Sequence, residues 1–487
     1  MDAEQAARPA TTHAPPDVAA QVEARGIDHI PLAERHGRPR ELFWVWLAAN
    51  VTFLYFVLGG VVLMLGLNLW QSILVVVLGN LYWVAVGALA VTGPVSGTPT
   101  AVVTRAMFGI RGNRPLSAGI GWLTAICYEA INLALGAAAG FALAEHVGLT
   151  VSTPLKALIL AATAILTFAV SIFGHAAIVK VSPYSTAVLS AVMVGLAVFV
   201  IAHTDPHYAP QGPPVGADAL TTATIGVAVI AAVPLSWANG ADYSRYLPPA
   251  TSTTRVLTYT ALGGFIPATV LGVLGVLAGT SIDMDDPQAS LAEIVPGWFY
   301  PLVLAVIGLS AITNNVLTSY SSGLCLQSVG VRVSRVGAVL IAAVLSVALA
   351  AYALFVDDFT ASLSRILEVT VVILAPSMAL FITDILLRRN AYDGIDLHDE
   401  TPAGRYWYQG GFNLPCITAF ATGVAASVLC VNTTAFQGPL SRLLGGADLT
   451  FAVGPAVTAA VYVLLWRRDT GGVRSAMSTS RPEHHLD

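Results

Sequence analysis

Glu129 stands inside an apolar stretch, where a carboxyl is costly and marks an ion or proton path by default. Tyr128 and Asn132 flank it at i and i+4 of each other, so they share one helical face. The ring offers a face for stacking, and the amide offers both a C=O and an NH2 to the edge of a flat ligand. A second apolar stretch carries Thr313, Asn314, Asn315 and Thr318 within six residues. Polar side chains at such depth usually turn to a bundle interior. A third reads Ser236-Trp237-Ala238-Asn239-Gly240-Ala241-Asp242-Tyr243. Asp242 is placed to cap a half-helix or to pair with a loop arginine. Arg365 and Glu368 are three apart and can pair on one face as a gate or structural pair near a mouth. No nucleophile–base or metal-ligand constellation accompanies these groups, and no Walker A sequence occurs. The chemistry on offer is binding and ion transfer rather than bond making. No metal and no enzyme activity are expected.

The elements that must hold these groups follow from composition. Of 487 residues, 56% are hydrophobic and 10% charged, with a mean hydropathy of +0.73. Soluble domains carry roughly a quarter charged residues. An ordinary soluble enzyme, a disordered chain and a nucleic-acid binder are thereby excluded. About 20 apolar residues span a bilayer. Twelve such segments lie near 43–67, 70–92, 116–145, 155–174, 184–203, 220–246, 256–281, 298–328, 333–356, 362–387, 412–432 and 448–467. An all-α polytopic membrane protein with 12 transmembrane helices is the expected fold class. Residues 1–40, polar and rich in proline, read as a disordered tail, and 469–487 as another. The four cysteines lie in apolar stretches and read as small packing residues. His175, His203 and His207 sit near expected loops and read as solvated. Asn432-Thr433-Thr434 matches a glycosylation acceptor, a pattern common by chance.

Orientation follows from the basic residues. Counting loop by loop, 20 of the 23 lysines and arginines fall on the side of the two termini; only Lys156, Arg365 and Arg442 do not. Acidic residues such as Asp205, Asp218, Asp283, Asp285, Asp286, Asp357 and Asp358 collect opposite. Both termini are therefore expected in the cytosol, with the chain in the plasma membrane. Charge within the membrane reduces chiefly to Glu129, Arg365 and Glu368.

Segments 1, 3, 6 and 8 contain polar or glycine-rich interruptions. Segment 1 reads Asn50-Val51-Thr52-Phe53-Leu54-Tyr55-Phe56-Val57-Leu58-Gly59-Gly60. Segments 1 and 6 each begin one five-helix half. Breaks at matching places of two halves point to a transporter site built from discontinuous helices. Unwound backbone at that depth is tolerated only where it lines a cavity or is buried in protein.

The string Trp237, Asp242, Tyr243, Tyr246 in segment 6 resembles the nucleobase–cation symporter-1 family. Gly79-Asn80 and Arg105-Ala106-Met107-Phe108-Gly109 look familiar from the same family. Segment 8, from Asn314 to Leu324, is similar to its purine–cytosine permease branch. The resemblance covers the whole membrane region. It implies a LeuT-type fold: two inverted five-helix repeats, about 43–203 and 220–387, plus two helices at about 412–467, within a transporter domain of 41–468. It also implies a substrate held between helices 1, 3, 6 and 8 and stacked between two aromatic rings. Trp237 matches the family's helix 6 ring, and Tyr128 stands where tryptophan is usual in helix 3, with Asn132 as the following amide. Trp122, the other frame, is followed by Ile126 and lacks that amide. Asn314, Asn315, Thr318 and Phe56 complete the expected substrate set. In sodium-coupled relatives helix 8 hydroxyls join helix 1 carbonyls around the cation. Here Ile312 and Thr313 stand at those places, with Thr52 and Phe53 at the break, while Glu129 is the natural carrier if the ion is a proton.

The resulting expectation is a secondary symporter importing cytosine or a purine with H+ or Na+. A same-fold carrier for allantoin or a hydantoin, uracil, thiamine or another vitamin-like ring remains the alternative. No cofactor is expected beyond the coupling ion, the partners are a small heterocycle and the lipid bilayer, and the oligomeric state stays open.

Overall fold

The computed structural model describes residues 26–172, 175–210, 212–356, 359–433 and 436–479. Residues 1–25, Asp357, Asp358, Thr434 and the end of the C-terminal segment, on which readings were offered above, lie outside them. Among the described residues every extended element is helical, and the only β pairing is two isolated bridges.

The helices are α1a (Pro39–Asn50), α1b (Phe53–Met64), α2 (Leu69–Ser96), α3 (Ile110–His146), α4 (Thr153–Ser171), α5 (His175–His203), α6 (Ala217–Ser244), α7 (Thr253–Ala278), α8 (Tyr300–Val329), α9 (Arg335–Phe355), α10 (Arg365–Arg388), α11 (Leu414–Cys430) and α12 (Thr450–Arg467). Ten are long and apolar enough to cross a membrane, and the α1a–α1b pair makes an eleventh. α11, at 17 residues, is shorter; at about 1.5 Å per residue it reaches about 25 Å. Each of the twelve apolar segments is thus helical, with eleven meeting the length for a span.

Of the four segments with polar or glycine-rich interruptions, the two expected to be discontinuous, 1 and 6, are the ones whose helix breaks. α1 bends by 60° at Val51-Thr52, where both residues leave helical geometry. Two consecutive β-branched residues favour that extended backbone. α6 opens at Trp237–Gly240, just after Pro234, which has no N–H for the helical ladder. α3 carries instead a π-helical stretch, Arg114–Gly119, near its start. α8 is continuous from Tyr300 to Val329 despite its polar stretch. Its asparagines reach neighbours by their side chains and leave its own ladder intact.

α3 lies along α8, α11 along α12, and both halves of α1 against α7. The α1b–α7 contact is closest at glycines. A Cβ on Gly275 would meet Phe56 O at 1.9 Å, and one on Gly59 would meet Gly272 O at the same distance. Small residues at such crossings let membrane helices approach backbone to backbone.

The N-terminal segment is not a free tail from Gly26 onward. Ile30 is fully buried and pairs its N–H with Gly97 O. Arg35 donates to Ile30 O and Pro94 O, and His398 sits on Ile27 O. Burial lowers the Arg35 guanidinium from its usual value. With His36 N donating to Tyr246 O and Arg245 Nη1 to Gly26 O, these contacts gather the N-terminal segment, the α2–α3 loop, the end of α6 and the α10–α11 loop on one face, called here the terminal face. At the other end of the chain the helix of α12 continues to Thr479.

Candidate functional site

The break in α6 is held from both sides. Thr100 N donates to Asp242 Oδ1 at 2.8 Å, and Ala241 N donates to Thr100 Oγ1 at 3.1 Å. Ser244 Oγ donates to Ala90 O, and Tyr243 OH donates to Leu317 O of α8 at 2.7 Å. Gly240 is glycine because α2 passes beside it: a Cβ there would meet Val86 O and Ala90 N at 2.9 Å. Asp242 therefore caps a neighbour, the short helix Thr100–Val103, rather than its own half-helix.

The break in α1 is held by amides. Asn314 Nδ2 donates to Ala49 O at 2.7 Å, and Asn50 Nδ2 donates to Trp46 O. Tyr55 OH donates to Asn50 Oδ1 at 2.8 Å. Asn132 Nδ2 donates to Asn314 Oδ1 at 2.9 Å, so α1, α3 and α8 meet through one chain of side chains.

Beside that junction lies a cavity of about 80 Å3. Tyr128, Asn132, Trp237, Asn314 and Thr318 line it, as expected of a substrate set, and Asp242 joins them. Tyr128 OH donates to Ala232 O, which fixes its ring against α6, whereas Trp122 lies off the cavity. Asn132 and Asn239 both line this space, and their Oδ1 atoms are buried without a hydrogen bond. From the mid-span amides the cavity continues past Ser117, Ser321, Cys325 and Phe381 to Thr104, so it points toward the terminal face. Cys325 is thus a wall residue rather than simple packing.

Other expected site residues lie off the cavity. Phe56 is fully buried and stacks on Phe53 at 4.9 Å. Thr52 is buried at the break, with its carbonyl already accepting from Tyr55 N. Thr313 donates its hydroxyl to Leu309 O of its own helix. Asn315 Nδ2 donates to Glu129 O, behind the cavity wall. Glu129 is fully buried and turns toward Ser322 of α8 and Ser346 of α9, and neither carboxyl oxygen closes a hydrogen bond. Arg365 is exposed and Glu368 half-buried, both away from the cavity. His175 is no solvated loop residue: it stacks on Tyr246 at 4.3 Å.

Two functional-looking features escaped the sequence reading. Trp46, one turn before the α1 break, is fully buried and meets Trp237, Tyr243 and Trp83 edge-on at 5.4, 5.2 and 5.5 Å. Its place at i−4 from Asn50 was a usable signal. Asp384 is fully buried in α10. It accepts from Tyr462 OH at 2.6 Å, Tyr392 OH at 2.7 Å and Arg388 Nε at 2.9 Å. Outside the span, Arg105 is buried against Glu400 at 3.0 Å. Burial lowers its guanidinium, and the Glu400 charge acts the other way.

Two broken helices, with the α6 break lining a small mid-span cavity, mark a multi-pass membrane transporter of the discontinuous-helix class. The comparisons narrow that class. Over residues 29–454 the chain matches the family "Permease for cytosine/purines, uracil, thiamine, allantoin", and it belongs to that family. It is 27% identical over 463 residues to the Bacillus subtilis (strain 168) protein "Putative purine-cytosine permease YxlA", covering 92% of this chain and 96% of that one. With the purine-cytosine permease fcyB of Emericella nidulans it shares 25% over 472 residues, 91% of this chain and 88% of the other. Among solved structures it resembles the nucleobase-cation-symport-1 transporter Mhp1. The inward-facing conformation gives a TM-score of 0.70 over 93% of this chain and 96% of the other, and the closed one with bromovinylhydantoin bound gives 0.69 over 91% and 95%. Identity is 19% in both, so this likeness speaks for the LeuT-like fold.

Proposed function

We propose that the protein is a symporter of the plasma membrane, both termini cytosolic, which imports a nucleobase, cytosine or a purine, through the cavity beside the α6 break. One observation carries this reading. Trp237 and Tyr128 line the same space as Asn132 and Asn239, whose buried amide oxygens have no donor from the protein. Buried acceptors left without donors cost about 1–3 kcal/mol each. A flat ring with N–H groups on its edge would satisfy them while stacking on the aromatic faces.

In the same reading the coupled ion is a proton. The helix 8 pair expected to serve sodium is Ile312 and Thr313, and Ile312 has no hydroxyl. Thr313 spends its hydroxyl on Leu309 O. Asp242 is the one carboxylate lining the cavity among the described residues, and it is the carrier, whereas Glu129 is walled off from it.

Uptake of labelled cytosine, adenine, hypoxanthine, uracil and allantoin into cells or proteoliposomes tests the substrate. Cytosine or a purine should be taken up and should resist competition by free amino acids. Failure to transport any ring would overturn the reading. For the ion, lowering the external pH below the internal pH should raise accumulation, by up to about tenfold per unit for one proton. Asp242→Asn keeps an acceptor for Thr100 N but cannot titrate. It should bind the base and exchange it across the membrane, yet lose pH-driven accumulation at least tenfold. Accumulation by Asp242→Asn that still follows the pH gradient would remove Asp242 from the role, and accumulation driven by Na+ alone would remove the proton.

A further inference from the structure

A second cavity, of about 230 Å3, opens on the terminal face where the starts of α1a and α5 meet the end of α6. We propose that it binds the phosphate headgroup of an anionic membrane lipid. Its polar wall is His36, Arg38, His175 and Lys180, with Glu41 the only acid. Glu41 is engaged locally, accepting from Arg38 N at 3.1 Å. Arg38 and Lys180 are exposed, and neither has an ion-pair partner among the described residues. The remaining wall is apolar and includes Leu42, Val45 and Val179.

Position selects a lipid over a soluble anion. One to two turns deeper along the same helices, Trp44 is 41% exposed and Tyr184 is 74% exposed. Exposed tryptophan and tyrosine at that depth mark the headgroup level of a bilayer. Val181, just beyond Lys180, is also exposed, so an acyl chain can lie along α5 below a headgroup held in the cavity. Basic pockets between membrane helices on this side bind anionic headgroups. A phosphate diester there would lie between Arg38 and Lys180.

The cavity adjoins the transport machinery. His175 stacks on Tyr246, and its ring nitrogen lies 3.3 Å from Tyr243 O, in the half-helix that carries Asp242. A headgroup that pins α1a to α5 therefore also steadies that half-helix.

Native mass spectrometry of the purified full chain, from vesicles of phosphatidylcholine with and without phosphatidylglycerol, tests the site. The expected result is retained phosphatidylglycerol but not phosphatidylcholine, with occupancy lowered about tenfold by Arg38→Gln/Lys180→Gln and lowered measurably by Lys180→Gln alone. Arg255→Gln removes an exposed charge that is not part of the cavity and should change nothing. Equal losses from the Arg255 and Lys180 variants would mean surface attraction only and would overturn the site. Displacement of phosphatidylglycerol by millimolar inorganic phosphate would assign the cavity to a free anion and overturn the lipid. No retained phosphatidylglycerol in the wild type would overturn both.

Discussion

Trp237→Ala is expected to abolish measurable high-affinity uptake while leaving the protein folded. A base stacked on an aromatic side chain gains about 1–3 kcal/mol, so losing the ring should weaken affinity roughly five- to 150-fold. The upper part of that range applies, because Trp237 is only 4% exposed and any ligand against it is desolvated. The loss should fall on substrate binding and not on ion binding, since Trp237 makes its contacts with Trp46 and the cavity. Trp237→Phe keeps a stacking face and should retain most of the affinity. Uptake kinetics across a substrate series, paired with surface expression, check this. Full uptake by the alanine variant would remove Trp237 from the site.

Asp384→Ala should be strongly destabilising. The carboxylate is fully buried and satisfies three donors at once, and Arg388 behind it also holds Ala106 O and Tyr408 OH. Removing one partner of a buried pair costs about 3–5 kcal/mol, because the other charge is left uncompensated. The network joins α10, α12, the α2–α3 loop and the α10–α11 loop, so the terminal face should loosen as a unit. A much lower melting temperature in detergent and poor recovery from membranes are expected. Tyr392→Phe removes one hydrogen bond of the set and should cost about 1–3 kcal/mol. Wild-type melting of the alanine variant would show that the network carries no stability.

Most of the fold was legible because hydropathy acts over whole segments: each of the twelve apolar stretches is a helix. The breaks in α1 and α6 were legible through Val51-Thr52 and through Pro234 with Gly240, residues whose backbone preferences act locally. The polar stretch of α8 leaves its helix unbroken for a related reason. Asn314 and Asn315 are polar, but their amides cross to Ala49 O and Glu129 O and so leave their own backbone helical. Polarity alone does not unwind a helix.

What escaped depends on partners far along the chain. Asp384 looked unremarkable at the end of a segment, since Tyr462 lies 78 residues on. The stretch from Gly26 to Arg38 reads as tail by composition, yet it is ordered by single long-range contacts such as Arg35 with Pro94 O and Arg245 with Gly26 O. Within the site, spacing placed Tyr128 and Asn132 on one face correctly. Spacing cannot say which face: Glu129, one residue from Tyr128, looks away toward α9.

The central claim is that the transported ring occupies the cavity beside the α6 break. Cys325 lines that cavity and is half-buried, while Cys127, similarly exposed, lies off it and serves as an internal control. N-ethylmaleimide labelling of the purified protein, located by mass spectrometry, is therefore the most direct measurement. Saturating cytosine or hypoxanthine, whichever is transported, is expected to slow labelling of Cys325 several-fold and leave Cys127 unchanged, with free amino acids having no effect. Unchanged labelling of Cys325 in the presence of a ring that the same preparation transports would contradict the account.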